Sequence, residues 1–292
     1  MRPVRKAVLP VAGLGTRVLP ATKTLPKEML PVFDRPAIAH VVAEAKAAGI
    51  EHFVFVTGRN KGAIEDYFDS AFELEETLRA KGKTELLREL ESELPPAGAC
   101  SFVRQQAPKG LGHAVWCARD VVGDDPFAVM LPDMLMMSDT PCLAQMTKAY
   151  DRVGGNIVSV EAVPAEEVSK YGIVSVGPET DGLYEMTRMV EKPTPEAAPS
   201  RLMISGRYIL QPEIFTLLER QGPGAGGEIQ LTDAMLALLK TSAFHALPFD
   251  GRTYDTGSKL GYLEAVAAYA LSDEADGAGA AAILRETLDR LG

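Results

Sequence analysis

Cysteine is scarce in this chain, and its three thiols, Cys100, Cys117 and Cys142, stand in separate apolar segments. No Cys-x-x-Cys spacing links them, which argues against a disulfide framework or a zinc site and leaves them as packing residues. Long apolar runs are missing too. Nothing approaches the roughly twenty residues of a membrane span, and the N-terminus shows no signal-peptide core. The cytoplasm is therefore the expected compartment, with no membrane partner. Positive charge is in deficit: 30 Lys and Arg against 40 Asp and Glu give a net charge of −10. Broad contact with nucleic acid is not expected, so any anion site must be local. Two nucleotide-binding patterns are absent as well. Gly-x-Gly-x-x-Gly fails because Val18 stands where the third glycine belongs, and no Gly-Lys-Ser/Thr completes a phosphate loop.

What the chain does have is concentrated near its start. Residues 7–11 read as a buried strand, and residues 9–31 carry Gly13, Gly15, Arg17, Lys23 and Lys27 among four prolines. A loop of this length inside a compact domain is usually functional. Its glycines let backbone N–H groups approach a ligand, and its cations can neutralise several phosphate charges, a combination that suits a nucleoside triphosphate. On composition alone, a solvated proline-rich turn is equally open.

The spacing predicts a helix over 37–48 ending at Gly49, then a strand over 52–57. This is a βαβ unit, which implies a parallel sheet with helices on both faces. Gly58-Arg59-Asn60-Lys61 falls at a strand's C-terminal end, where open α/β sheets place ligands, although a solvated turn accounts for Arg59 and Lys61 singly. Residues 61–94 read as helices. From residue 72 onward they alternate Glu with Lys and Arg around a leucine stripe, which suits a solvated face or a surface for a partner subunit.

A strand over 100–104 delivers Gln105, whose amide can both donate and accept toward a base edge. Gly110, Gly112 and His113 then feed a helix expected over 114–122, whose N-terminus favours anions; His113 reads as a cap or a packed ring. A strand over 127–131 ends in Pro132-Asp133, placed either to hold Mg²⁺ or to cap a turn. Further strands are expected over 156–163, 173–176, 184–190 and 202–210, with Gly172, Glu191-Lys192 and Ser205–Tyr208 in or beside them. Thr232 or Asp233 either caps a helix or meets a ligand. Asp255-Thr256-Gly257 opens another helix, and an Ala-rich helix over 279–291 ends the chain as packing or subunit contact.

Gly13-x-Gly15-Thr16-Arg17, then Pro20, then Pro26-Lys27-Glu28, resembles the signature loop of the sugar-phosphate nucleotidylyltransferases. The resemblance continues as far as the Asp255 motif. It implies an α/β fold: a three-layer α/β/α, Rossmann-like domain with a mostly parallel mixed sheet and an inserted sugar-binding subregion. Residues 1–292 would form one domain, whose nucleotide half gives way to a sugar-phosphate half near residue 155. By the same resemblance, Ala12, Gly13, Gly15, Gln105 and Gly110 hold the nucleotide. Gly172, Glu191 and Lys192 hold the sugar phosphate, and Asp133 and Asp255 hold Mg²⁺. Arg17 and Lys27 would stabilise the triphosphate and the leaving pyrophosphate, while Lys192 aligns the attacking phosphate. The charged stretch 72–90 is most similar to members that make UDP-glucose and pyrophosphate from UTP and glucose 1-phosphate. A homo-oligomer, dimer or tetramer, is expected. The alternatives are a thymidylyltransferase, an enzyme for another hexose 1-phosphate, or a catalytically silent binder of nucleotide sugar that regulates a partner.

Overall fold

A computed structural model describes residues 1–291. A single nine-stranded sheet runs through it. In chain order its strands are β1 (Lys6–Pro10), β2 (His52–Thr57), β3 (Cys100–Arg104), β4 (Phe127–Met130), β5 (Asn156–Ala162), β6 (Gly172–Thr180), β7 (Leu183–Glu191), β8 (Leu202–Leu210) and β9 (Phe244–Pro248). Across the sheet the order is β3-β2-β1-β4-β8-β5-β9-β7-β6.

The central strands are apolar on both faces because both faces are covered. Side chains alternate sides along a strand, and the core divides accordingly. Ala7, Leu9, Phe53, Phe55, Ala128 and Met130 pack on one side with the helices Ala37–Ala47 and Cys142–Val153. Val8, Val54, Val56, Phe127 and Val129 pack on the other with Leu111–Cys117, Ile214–Arg220 and Leu231–Leu238. The result is three layers, helix on sheet on helix.

Parallel pairing is confined to β3-β2-β1-β4 and to β5 with β9. The strand β8 runs antiparallel to both β4 and β5, and β7 runs antiparallel to β9 and β6, so the sheet is mixed, with its parallel character mainly in the first half. The C-terminal ends of β1, β2 and β4 lie along one edge. The loops that leave them, beginning at Val11, Gly58 and Leu131, therefore converge on one crevice. A ribbon outside the sheet, Met134–Met137 against Arg252–Asp255, carries the far end of the chain to the same edge.

The helix expected over 114–122 starts earlier and breaks, running as Leu111–Cys117 and Arg119–Val122. Its start is set by the Gly112 amide, which donates to the Ile229 carbonyl at 2.8 Å. In the charged excursion, the helices Phe72–Ala80 and Thr84–Glu93 bury only Leu87 and leave Phe72, Leu74, Leu86 and Leu90 exposed. The last helices, Lys259–Ser272 and Gly277–Leu291, expose Leu260, Leu263, Ile283 and Leu288. No helix among the described residues is long and apolar enough to cross a membrane.

Candidate active site

The loop that follows β1 has more structure than its sequence suggests. Three short turns of 3-10 helix, Thr16–Val18, Ala21–Lys23 and Lys27–Met29, fold it over the sheet edge. The Gly15 carbonyl accepts the Thr22 hydroxyl at 2.7 Å, so Gly15 shapes the loop from within. Lys61, which reads in sequence as a solvated turn cation, is buried. Its ammonium donates to Glu28 at 2.8 Å, and the Glu28 side chain is fully covered. Burial pushes the Glu28 carboxyl up even against Lys61 and Lys27. This cross-link ties the segment carrying Lys27 to the loop after β2.

Lys27 points inward, with its ammonium 2.5 Å from Asp133 Oδ2. Arg17, more exposed, sets Nη2 3.5 Å from Asp133 Oδ2 and Nη1 3.6 Å from Asp255 Oδ2. The two carboxylates come together through backbone geometry. Asp255 is paired with Met134 across the ribbon, and the Thr256 amide donates to the Asp133 carbonyl at 2.8 Å. Gly257 sits where they converge: a Cβ there would lie 2.8 Å from Asp255 Oδ1 and 2.9 Å from Asp133 Oδ2. In sequence this glycine reads only as part of the segment that opens the next helix.

The electrostatics of the pair are unequal. Burial pushes the Asp133 carboxyl up, but Lys27 and Arg17 outweigh it and hold it below its ordinary value. Asp255 is raised by burial and by the charge of Asp133, only partly offset by Arg17. Burial lowers Lys27, yet Asp133 and Glu28 leave it raised, so it stays charged. A hard cation that takes one or two carboxylates plus phosphate oxygens fits this donor set, because a cation relieves the repulsion between the two acids. No group of three or more metal-ligating side chains occurs among the described residues. Ligands beyond the two aspartates would thus come from substrate and water.

Beside Asp133 opens a cavity of about 390 Å³ lined by Ala12, Gly13, Lys27, Gln105 and Gly110. Thr16 of the signature motif also lines it, as do Leu14 and Glu228, which were not given a role in the sequence. Glu228 comes from a distant segment whose closeness explains Gly110. The φ of Gly110 is 100°, and a Cβ would lie 2.7 Å from Glu228 Cβ. Ile229 N donates to the Lys109 carbonyl at 2.7 Å and closes this wall.

A second, smaller cavity of about 120 Å³ adjoins the first, since Leu111 and Leu131 line both. Gly172, Glu191 and Thr232 line it together with Tyr171 and Tyr208. Thr232 caps no helix. Its hydroxyl donates to Glu191 Oε2 at 2.7 Å and so orients that carboxylate. Lys192 does not line this cavity; its side chain is 57% exposed, with its ammonium 3.6 Å from Glu191 Oε1. Its φ of 46° is unusual for a non-glycine residue. Arg207, from a segment read as part of the sugar-phosphate side, does not face this cavity. Its side chain is fully buried against Glu44.

A family model described as nucleotidyl transferase matches residues 6–272. The UTP–glucose-1-phosphate uridylyltransferase of Bacillus subtilis is 48% identical over 274 residues, covering 94% of each chain. Among solved structures, a UTP-bound UGPase from Acinetobacter baumannii superposes with a TM-score of 0.89 at 46% identity, covering 99% of this chain and 100% of its own. A UDP-glucose pyrophosphorylase complexed with UDP-glucose gives 0.82 at 45% identity, covering 91% and 98%. Likeness at this level extends over the sheet, both cavities and the ribbon that carries Asp255. The chain belongs to the nucleotidyl transferase family.

Proposed function

We infer that the chain transfers the uridylyl group of UTP to glucose 1-phosphate, giving UDP-glucose and pyrophosphate. The observation that carries this reading is the adjoining pair of cavities, one lined by Lys27, Asp133, Gln105 and Gly110, the other by Gly172 and Glu191. Two phosphorylated substrates can thereby meet beside the paired carboxylates. The attacking oxygen of a sugar phosphate is already anionic, so no general base is required. Alignment and neutralisation of charge suffice.

Within that reading the chain's cations divide the work. Lys27, fixed by Asp133 and by the buried Glu28–Lys61 link, meets the triphosphate, and Arg17 neutralises the departing pyrophosphate. Gln105 and Gly110 take the base, while Ala12, Gly13 and Gly15 bring backbone close to the phosphates. Glu191 accepts from sugar hydroxyls, and Lys192 holds the sugar phosphate as a point charge. Asp133 and Asp255 would hold Mg²⁺, which when bound neutralises charge on the reacting phosphates. We place the nucleotide half before residue 155 and the sugar half after it, within one domain. Self-association through the exposed leucines of the last two helices, and a place in the cytoplasm, belong to the same proposal.

The test is pyrophosphate release from purified protein given UTP, glucose 1-phosphate and MgCl₂, with the nucleotide product identified by mass spectrometry. Release dependent on both substrates, with UDP-glucose formed, is the expected result. No release at millimolar substrates would overturn the reading.

A further inference from the structure

His113 stacks on Trp116 with ring centroids 5.8 Å apart, on the same short helix that borders the larger cavity. It is in contact with Gln105, which lies at the end of β3 and is 92% buried, only 8% of its surface being exposed. The Gln105 carboxamide is pinned on one side. Its Nε2 lies 3.0 Å from the Gly110 carbonyl and 3.0 Å from His113 Nδ1. A carbonyl only accepts, so the atom facing Gly110 must be the amide nitrogen. Its second N–H then meets His113 Nδ1, which must carry a lone pair, leaving the ring proton on Nε2.

Cys117 agrees with that tautomer. Its sulfur is 3.8 Å from the same Nδ1, and burial raises the thiol's pKa, so it stands there as a thiol that can share the Nδ1 lone pair with the Gln105 N–H only weakly and calls for no proton on Nδ1. Both amide hydrogens of Gln105 are therefore committed inside the protein. Its Oε1 meets no donor among the described residues, and the residue lines the cavity.

We propose that His113 is a positioning residue for base selection, locking Gln105 so that only its carbonyl oxygen is offered to the base. This rests on the uridylyltransferase reading. A base with an imide N–H, as in uracil, donates to that oxygen. Cytosine presents a lone pair at the same ring position and is repelled, so the lock acts by attraction of one base and by exclusion of the other. Without an acceptor at His113 the amide keeps only the Gly110 carbonyl as a restraint, so turning by 180° to present its N–H groups, which suits cytosine, costs less.

The experiment compares wild type with H113F, which keeps a ring against Trp116 but removes the acceptor, and with H113N, whose side-chain oxygen restores one. H113L is a second acceptor-free variant should H113F not fold. For each, kcat/KM is measured with UTP and with CTP in the presence of glucose 1-phosphate, and the affinity for each nucleotide is measured by calorimetry. H113F should lose its preference for UTP over CTP by about tenfold or more, the scale of a misread polar contact to a base. H113N should stay within about threefold of wild type, since it keeps the hydrogen bond. An unchanged preference in H113F or H113L, or an equal loss in H113N, overturns the inference while wild type still makes UDP-glucose. A wild type that turns over no UTP overturns the functional reading itself, and the inference with it.

Discussion

Arg207 and Glu44 form a buried ion pair, with Nη2 2.7 Å from Oε2, between the strand β8 and the helix Ala37–Ala47. The guanidinium also donates to the Leu131 carbonyl at 3.1 Å, two residues before Asp133, and Glu44 accepts the Leu143 amide at 3.0 Å. A single charged contact thus joins β8, two helices and the loop that carries Asp133.

Removing one member of that pair leaves an uncompensated charge in the core. Arg207→Met should lower the free energy of unfolding by about 3–5 kcal/mol, and the double variant with Glu44→Leu should recover much of it. Urea titrations of the three proteins check this. A midpoint for Arg207→Met equal to wild type would show the pair to be energetically idle.

Asp133→Asn and Asp255→Asn should each cut kcat by about 100-fold or more, as expected when a group that organises transition-state charge is neutralised. Far-UV circular dichroism should stay unchanged, because the Asp133 main chain is held by Thr256 through its carbonyl. Near wild-type rates at limiting MgCl₂ in both variants would remove the metal role.

Lys192 carries its charge in an exposed position beside Glu191, away from the core, so its loss should be felt by one substrate. Lys192→Ala should raise KM for glucose 1-phosphate by about 10–100-fold, the range of a charge-assisted hydrogen bond, with KM for UTP little changed. Steady-state kinetics with each substrate varied decide it. Equal changes in both constants would place the lysine elsewhere in the reaction.

Gly110→Ala places a methyl group 2.7 Å from Glu228 Cβ and 2.8 Å from the Ile229 carbonyl, at a φ of 100°. Overpacking against backbone should destabilise the protein by about 1–3 kcal/mol and open the wall of the larger cavity. A thermal melt combined with UTP calorimetry reads both effects. Wild-type stability together with wild-type affinity would contradict the close approach.

The sequence is most legible where local signals dominate. The strands β2, β3 and β8 have the bounds that their apolar runs suggest, and Lys27, Gln105, Gly110 and Asp133 meet in one cavity as their motifs imply. What stayed hidden depends on partners far away in the chain. Arg207 looks like part of the sugar-phosphate side, and Glu44 has no mark of its own in the helix over 37–48, until the sheet order places them together. Lys61 looks solvated until Glu28 covers it. Glu228 gives no local signal at all, because its place opposite Gly110 is fixed by a loop returning from the other half. The antiparallel half of the sheet was hard to foresee for a similar reason: apart from β9, which was not expected, its strands were visible, but nothing in them specifies which neighbour each one joins.

The ribbon has a consequence for synthesis. Met134 waits for Asp255, and the Asp133 carbonyl waits for the amide of Thr256. A growing polypeptide can complete the first half of the sheet, with Lys27 and Asp133 in place, long before the second carboxylate has left the ribosome. Such a partial chain has half of its carboxylate pair, and it also lacks Glu228 and Ile229, which complete the wall of the larger cavity. On the role proposed for Asp255, catalytic competence arrives late in translation, with the segment that closes the ribbon.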